Sequence, residues 1–130
     1  MKKMNPVVHF EMPAEDRQRM ADFYTNVFGW EAQMFGEEMG NYVTVSTCEL
    51  DENRMPKGVG MINGGFYPKT EGAVPSVVIA VDDIHASMKD VTNGGGTVLG
   101  EPVEIPMVGW YVSFNDTEGN KVSLLQPSMK

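Results

Sequence analysis

The chain has 130 residues, about one domain's length and enough to bury a sizeable core, and its 10 Lys plus Arg against 18 Asp plus Glu leave a net charge of −8. That balance repels phosphate backbones and anionic lipid surfaces, which argues against nucleic acid and membrane as partners. A single cysteine, Cys48, leaves no internal disulfide, and the opening "MKKMNPVVHF" lacks the apolar run of a signal peptide or span, so both point to the cytoplasm.

In chain order, "VVHFEM", Val7 to Met12, is a short β pattern bounded by Pro6 and Pro13. Its alternation puts Val7, His9 and Glu11 on one face and Val8, Phe10 and Met12 on the other. A helix follows, capped by Asp16 at its start and closed by Gly29 in a left-handed conformation. Met20, Phe23, Tyr24, Val27 and Phe28 recur at helical spacing and predict a stripe facing the core. Strands are expected around Glu31 to Phe35, at Asn41 to Thr47, and at "KGVGMIN", Lys57 to Asn63. The Gly- and Pro-rich stretch Asn63 to Pro75 reads as a linker.

The second half repeats this order. "SVVIAV", Ser76 to Val81, is a strand with Ser76, Val78 and Ala80 on one face and Val77, Ile79 and Val81 on the other. A helix capped by the Asp82 and Asp83 pair runs to "GGG", and strands follow at Thr97 to Leu99, Trp110 to Asp116 and Lys121 to Gln126. Asp16 matches Asp83 and Gly29 matches Gly96 at one constant offset, and Tyr42 matches Tyr111. The expected organisation is one domain over 1–130, built from a β-α-β-β-β module at 5–65, a linker at 66–75 and a second module at 76–127. Neither half buries its sheet alone, so the two are expected to form one pseudo-symmetric α+β domain.

A tandem β-α-β-β-β chain with "FYTNVFGW" closing its first helix and "DTEGNKVSLLQP" forming its last hairpin resembles the glyoxalase, bleomycin-resistance and extradiol-dioxygenase (vicinal oxygen chelate) superfamily. Within it, the chain is similar to the subgroup of predicted enzymes related to lactoylglutathione lyase. The resemblance implies tandem modules forming a curved mixed sheet with a central cleft, which holds a small molecule and usually a divalent metal. It also implies a homodimer. The cleft residues it selects here are His9, Glu11, Tyr42, Thr44, Ser76, Tyr111, Ser113 and Ser123.

Metal-dependent members take one ligand from the first and one from the last strand of each module. Carried onto this chain, those positions are His9, Gly60, Ser76 and Ser123, of which only His9 is a competent ligand. A catalytic divalent site ordinarily uses three protein ligands plus water, so a metal cofactor is disfavoured. Glu11 lies two positions along the same strand, too far from His9 for the pair alone to chelate well. His85, beside Asp82 and Asp83, reads as an exposed polar residue. Glu11 is the candidate general base, since family lyases move a proton beside a carbonyl with a carboxylate, though there it works next to a metal. Cys48 has no histidine nearby in sequence, and "NGGG" ends a helix, so neither a thiol nucleophile nor a phosphate loop is expected.

Three functions remain open from sequence. The chain binds a small organic molecule in a metal-free cleft, or it is a lyase or isomerase with an atypical or absent metal site, or it is an interaction module with a vestigial cleft.

Overall fold

In the computed structural model, which describes residues 3–128, the chain runs β1 (Val7–Ala14), α1 (Arg17–Phe28), β2 (Glu31–Met34), a 3-10 turn (Glu37–Met39), β3 (Val43–Ser46) and β4 (Asn63–Pro68). It continues through β5 (Ser76–Ala80), α2 (Ile84–Asn93), β6 (Thr97–Ile105), β7 (Gly109–Asn115) and β8 (Lys121–Pro127). The contacts divide it into a unit spanning His9–Pro75 and a unit that joins the segment up to Val8 with the chain from Ser76 onward. No helix among the described residues is long and apolar enough to cross a membrane.

In the His9–Pro75 unit the strand order is β2-β3-β4-β1, with β1 parallel to β4 and the other neighbours antiparallel. The Asp16 carboxylate accepts the Arg19 N–H at 3.0 Å, and Gly29 closes α1 at φ 77°, so both caps act as their residue types require. The inward stripe differs from the expected one. Ala21 is buried, and Met20 and Tyr24 pack with Phe10, Met12, Trp30 and Met34 around Val43, Val45 and Phe66. Phe23, Val27 and Phe28 are instead 53%, 55% and 61% exposed. Arg17 explains the rotation. It lies one turn before Met20 and Ala21 and donates to the carbonyls of Phe35 and Asn41, so the inward face runs 17, 20, 21, 24. Phe23 and Phe28 then flank Tyr24 through ring contacts at 5.0 and 6.0 Å between centroids.

The last strand of this unit also lies elsewhere than expected. The "KGVG" stretch is a series of bends in which Val59 is fully exposed and Gly60 takes φ 86°. Its alternation of Gly and apolar residues mimics a strand, but the positive φ breaks the ladder. The strand is Asn63–Pro68, inside the stretch read as linker. Two contacts start it there: Thr47 N–H donates to Asn63 Oδ1 at 2.9 Å, and the Thr47 hydroxyl donates to the Ile62 carbonyl at 2.6 Å.

In the other unit the order is β5-β8-β7-β6, with β5 parallel to β8. Here Ile84, Met88 and Val91 of α2 pack with Val81, Val112, Phe114 and Leu124. Asp83 caps it by accepting the Ala86 N–H, and Gln126 Oε1 accepts the Ile84 N–H at 2.8 Å. The helix ends at Asn93, and the left-handed glycine after it is Gly95 at φ 101° rather than Gly96. β6 extends well past Leu99, with a register shift between Leu99 and Val103. The "DTEGN" turn forms as its residues suggest. Asp116 accepts the N–H groups of Glu118 and Asn120 and the Asn120 side chain, which hold its carboxyl below the usual carboxylate range.

Burial makes Phe66, with no exposed surface, the anchor of its unit, whereas Phe28 is mostly in solvent. Phe66→Ala should lower unfolding free energy by about 3–5 kcal/mol. Phe28→Ser should change it by about 1 kcal/mol or less. Urea unfolding of both variants against the native chain checks the contrast.

Candidate functional site

The parallel register of β1 and β4 sets His9 beside Asn63 and Glu11 beside Gly65, and the antiparallel register of β3 sets Thr44 against Gly65. Alternation then sorts the side chains. Phe10 and Phe66 join the helix-side cluster, while His9, Glu11, Tyr42, Thr44 and Tyr67 belong to the opposite face. On that face His9 Nε2 lies 2.9 Å from the Tyr42 hydroxyl, which donates to Glu11 Oε2 at 3.1 Å. A phenol carries one proton. With it directed at Glu11, Tyr42 accepts the hydrogen bond from His9, so the neutral imidazole carries its proton on Nε2 and leaves Nδ1 as a lone pair.

The electrostatics follow from burial. Desolvation lowers the His9 pKa below its ordinary 6.5, and the attraction of Glu11, which acts the other way, is the smaller effect. The Tyr67 phenol, whose hydroxyl donates to the Val74 carbonyl at 3.2 Å, is raised above its ordinary 10.0 by desolvation first and by Glu11 second. The face therefore presents an imidazole that burial keeps less basic than usual, the hydroxyls of Tyr42 and Tyr67, and the Glu11 carboxyl group. It can exchange hydrogen bonds with a polar ligand and pass a proton along His9, Tyr42 and Glu11.

Tyr67 is the residue that sequence reasoning missed, because "NGGFYP" reads as linker. The alternation of Phe66 and Tyr67 between two glycines and a proline carries a period-2 signal that places Tyr67 on the His9 face.

The other unit has its own polar cluster. Ser123 is buried, and its Oγ lies 2.8 Å from the Tyr111 hydroxyl and 2.9 Å from Ser113 Oγ. Ser76 is half-buried on β5 and stands outside that cluster. His85 is exposed, as expected, and lines an open groove of about 510 Å³ against α2 and β6 together with Lys89 and Glu101.

The registers also correct one metal-ligand position. Ser123 sits beside Val78 on the parallel strand pair, and its counterpart beside Glu11 is Gly65, not Gly60. Neither glycine supplies a donor. Ser123 already shares its hydroxyl with two neighbours, and the His9 Nε2 is engaged by Tyr42. Among the described residues no three His, Cys, Asp or Glu side chains are grouped to hold a metal ion. This donor set does not fit a divalent metal of the kind the fold usually carries.

A family model described as the Glyoxalase/Bleomycin resistance protein/Dioxygenase superfamily matches residues 7–124. The chain belongs to that superfamily. A glyoxylase-like domain-containing protein of Didymella fabae is 31% identical over 121 residues, 85% of this chain and 84% of that protein. The anthracycline biosynthesis protein DnrV of Streptomyces peucetius is 30% identical over 122 residues, again 85% of this chain, which spans only 42% of that relative's length. Among solved structures, methylmalonyl-CoA epimerase of Streptomyces coelicolor superposes with a TM-score of 0.70 at 16% identity, covering 98% of this chain and 100% of the other. A hypothetical protein of Bacillus halodurans gives 0.72 at 12% identity, covering 98% of both chains. These two show the fold.

Two titrations test the electrostatics of the face in this family member. In Glu11→Gln the imidazole of His9 should titrate still lower, because an attractive charge is gone, and the Tyr67 phenol should move back toward 10.0. Side-chain NMR titration of both residues reads the two opposite causes in one variant. The lowered His9 pKa also gives a pH dependence of stability. The unfolded chain binds the proton first, so the contribution is complete above 6.5 and is lost as pH falls through the folded value. Thermal melts between pH 7.5 and 5 should show this loss, and His9→Gln should flatten it.

Proposed function

We propose that the His9, Tyr42 and Glu11 face of the His9–Pro75 unit binds a small organic molecule bearing carbonyl or hydroxyl groups, without a divalent metal. The observation that carries this reading is the hydrogen-bonded row of imidazole, phenol and carboxylate beside Thr44 and Tyr67, where a few polar groups converge next to aromatic surface. Two of the relatives are anthracycline biosynthesis proteins, so an oxygenated polycyclic aromatic is a reasonable first ligand class. Ser76, Tyr111 and Ser113 are the corresponding candidate contacts of the other unit. Ser123 is too buried to reach a ligand and holds Tyr111 and Ser113.

A second reading is favoured by the same row ending at a carboxylate: Glu11 takes a proton from carbon next to a ligand carbonyl, the C–H electron pair moves to the carbonyl oxygen as an enolate, and the Tyr42 hydroxyl donates its hydrogen bond to that oxygen. Incubating carbonyl compounds with the protein in D2O separates the two. Deuterium at that carbon, lost in Glu11→Gln, marks turnover, and binding without exchange marks a carrier.

For assembly we infer a homodimer of the 14.4 kDa chain. Its support is an edge on each of β2 and β6 that no strand among the described residues pairs, together with the exposed apolar residues of α1. The lone Cys48 thiol is consistent with a cytoplasmic setting.

Calorimetry with an anthracycline and with smaller aromatic ketones should find a binder that Tyr42→Phe weakens at least tenfold, about 1.4 kcal/mol. Elemental analysis of the same protein should give far less than one equivalent of Zn, Ni, Mn or Fe, and adding these ions should leave the melting temperature unchanged. Stoichiometric metal that is lost in His9→Ala would overturn the metal-free reading. Light scattering that reports only monomer at micromolar concentrations would reject the dimer.

A further inference from the structure

The geometry points to Gly65 as the positioning residue of the His9, Tyr42 and Glu11 row: a bare α-carbon there lets the Tyr42 ring lie against β4, with its hydroxyl between the imidazole and the carboxylate. A Cβ built on Gly65 would overlap the ring and hydroxyl of Tyr42, and one built on Gly64 would overlap the ring of Phe10 on the other face. Neither glycine takes a positive φ, so backbone freedom does not account for them. Both are buried inside a strand, where glycine is otherwise unfavourable. What each supplies is space for one aromatic ring.

The other unit makes the comparison internally. Tyr111 corresponds to Tyr42, and Ser123, which pairs with Ser113 and lies diagonal to Tyr111, stands where the first unit has Gly65, the partner of Thr44. There the tyrosine hydroxyl stops on the serine hydroxyl at 2.8 Å. With no side chain at 65, the Tyr42 ring lies over the β4 backbone and its hydroxyl meets the β1 residues His9 and Glu11. One position thus sets the target of the tyrosine in each unit. The assignment concerns how Tyr42 is held and stands whether or not the face takes an organic ligand.

The test uses His9 as the reporter. Ring nitrogen NMR at pH 8 should show a single Nε2–H tautomer for His9 in the native protein. Gly65→Ala should convert this to a mixed population, as should Tyr42→Phe, which keeps the ring but removes the hydroxyl. Phe10→Leu loosens the opposite face and should lower the melting temperature while leaving the tautomer intact. The clash should also be relieved by vacating the ring's space. Gly65→Ala combined with Tyr42→Ala should recover more than half of the melting temperature lost in Gly65→Ala alone. If Gly65→Ala does not fold, the double variant must. An unchanged His9 signature in Gly65→Ala overturns the assignment, and so does additive destabilisation or failure to fold in the double variant.

Discussion

The His9–Pro75 unit depends on a place where matter is missing. In β4, two successive residues lack side chains, and the strand is thin enough there to accept an aromatic ring on each face: Phe10 over Gly64 and Tyr42 over Gly65. On the helix side the Phe10 ring continues into Trp30 at 5.7 Å and from there into the Tyr24 stack at 4.7 Å. On the other side Tyr42 couples β3 to β1 through polar groups. A strand that would ordinarily separate core from site is reduced to backbone between two rings. Packing and polar chemistry are therefore tied to one register, because a one-residue slip would exchange Phe10 with Glu11.

Burial sets the chemistry of that polar face. An imidazole next to a carboxylate in water would gain basicity, yet the desolvation of His9 outweighs Glu11 and leaves the ring less basic than usual. A neutral, tautomerically fixed imidazole donates through Nε2 and can accept through Nδ1. A metal would need the same nitrogen lone pairs together with a donor from β4, where the chain offers a bare glycine beside Glu11. In the other unit the matching serine is already shared between Tyr111 and Ser113. The first unit presents instead a row centred on Tyr42, and the other unit a cluster centred on Ser123.

Features that depend on a few neighbouring residues were legible in the sequence. Asp16, Asp83 and Gly29 act as caps, the Asp116 turn closes the last hairpin, and the period-2 pattern of "VVHFEM" puts His9 and Glu11 opposite Phe10. The β-α-β-β-β order could be read twice for the same reason. What stayed hidden depends on partners far along the chain. Glycine in "NGGFYP" signals a linker locally, and only the rings of Phe10 and Tyr42 show why a strand needs it. The α1 stripe was misjudged because hydrophobicity ranks Phe23 and Phe28 above Arg17. Arg17 faces inward because two carbonyls, those of Phe35 and Asn41, wait for its guanidinium.

The pseudo-symmetry of the two modules gives these differences a common explanation. Corresponding strands keep the same register, Glu11 beside Gly65 and Val78 beside Ser123, so the backbone presents the same pair of positions twice. The first module fills them with a carboxylate and a glycine, and its tyrosine bridges toward an imidazole. The second fills them with a valine and a serine, and its tyrosine turns to neighbouring hydroxyls. A duplicated scaffold thus holds a cluster with an imidazole and a carboxyl group in one module and a cluster of hydroxyls in the other without any change of fold.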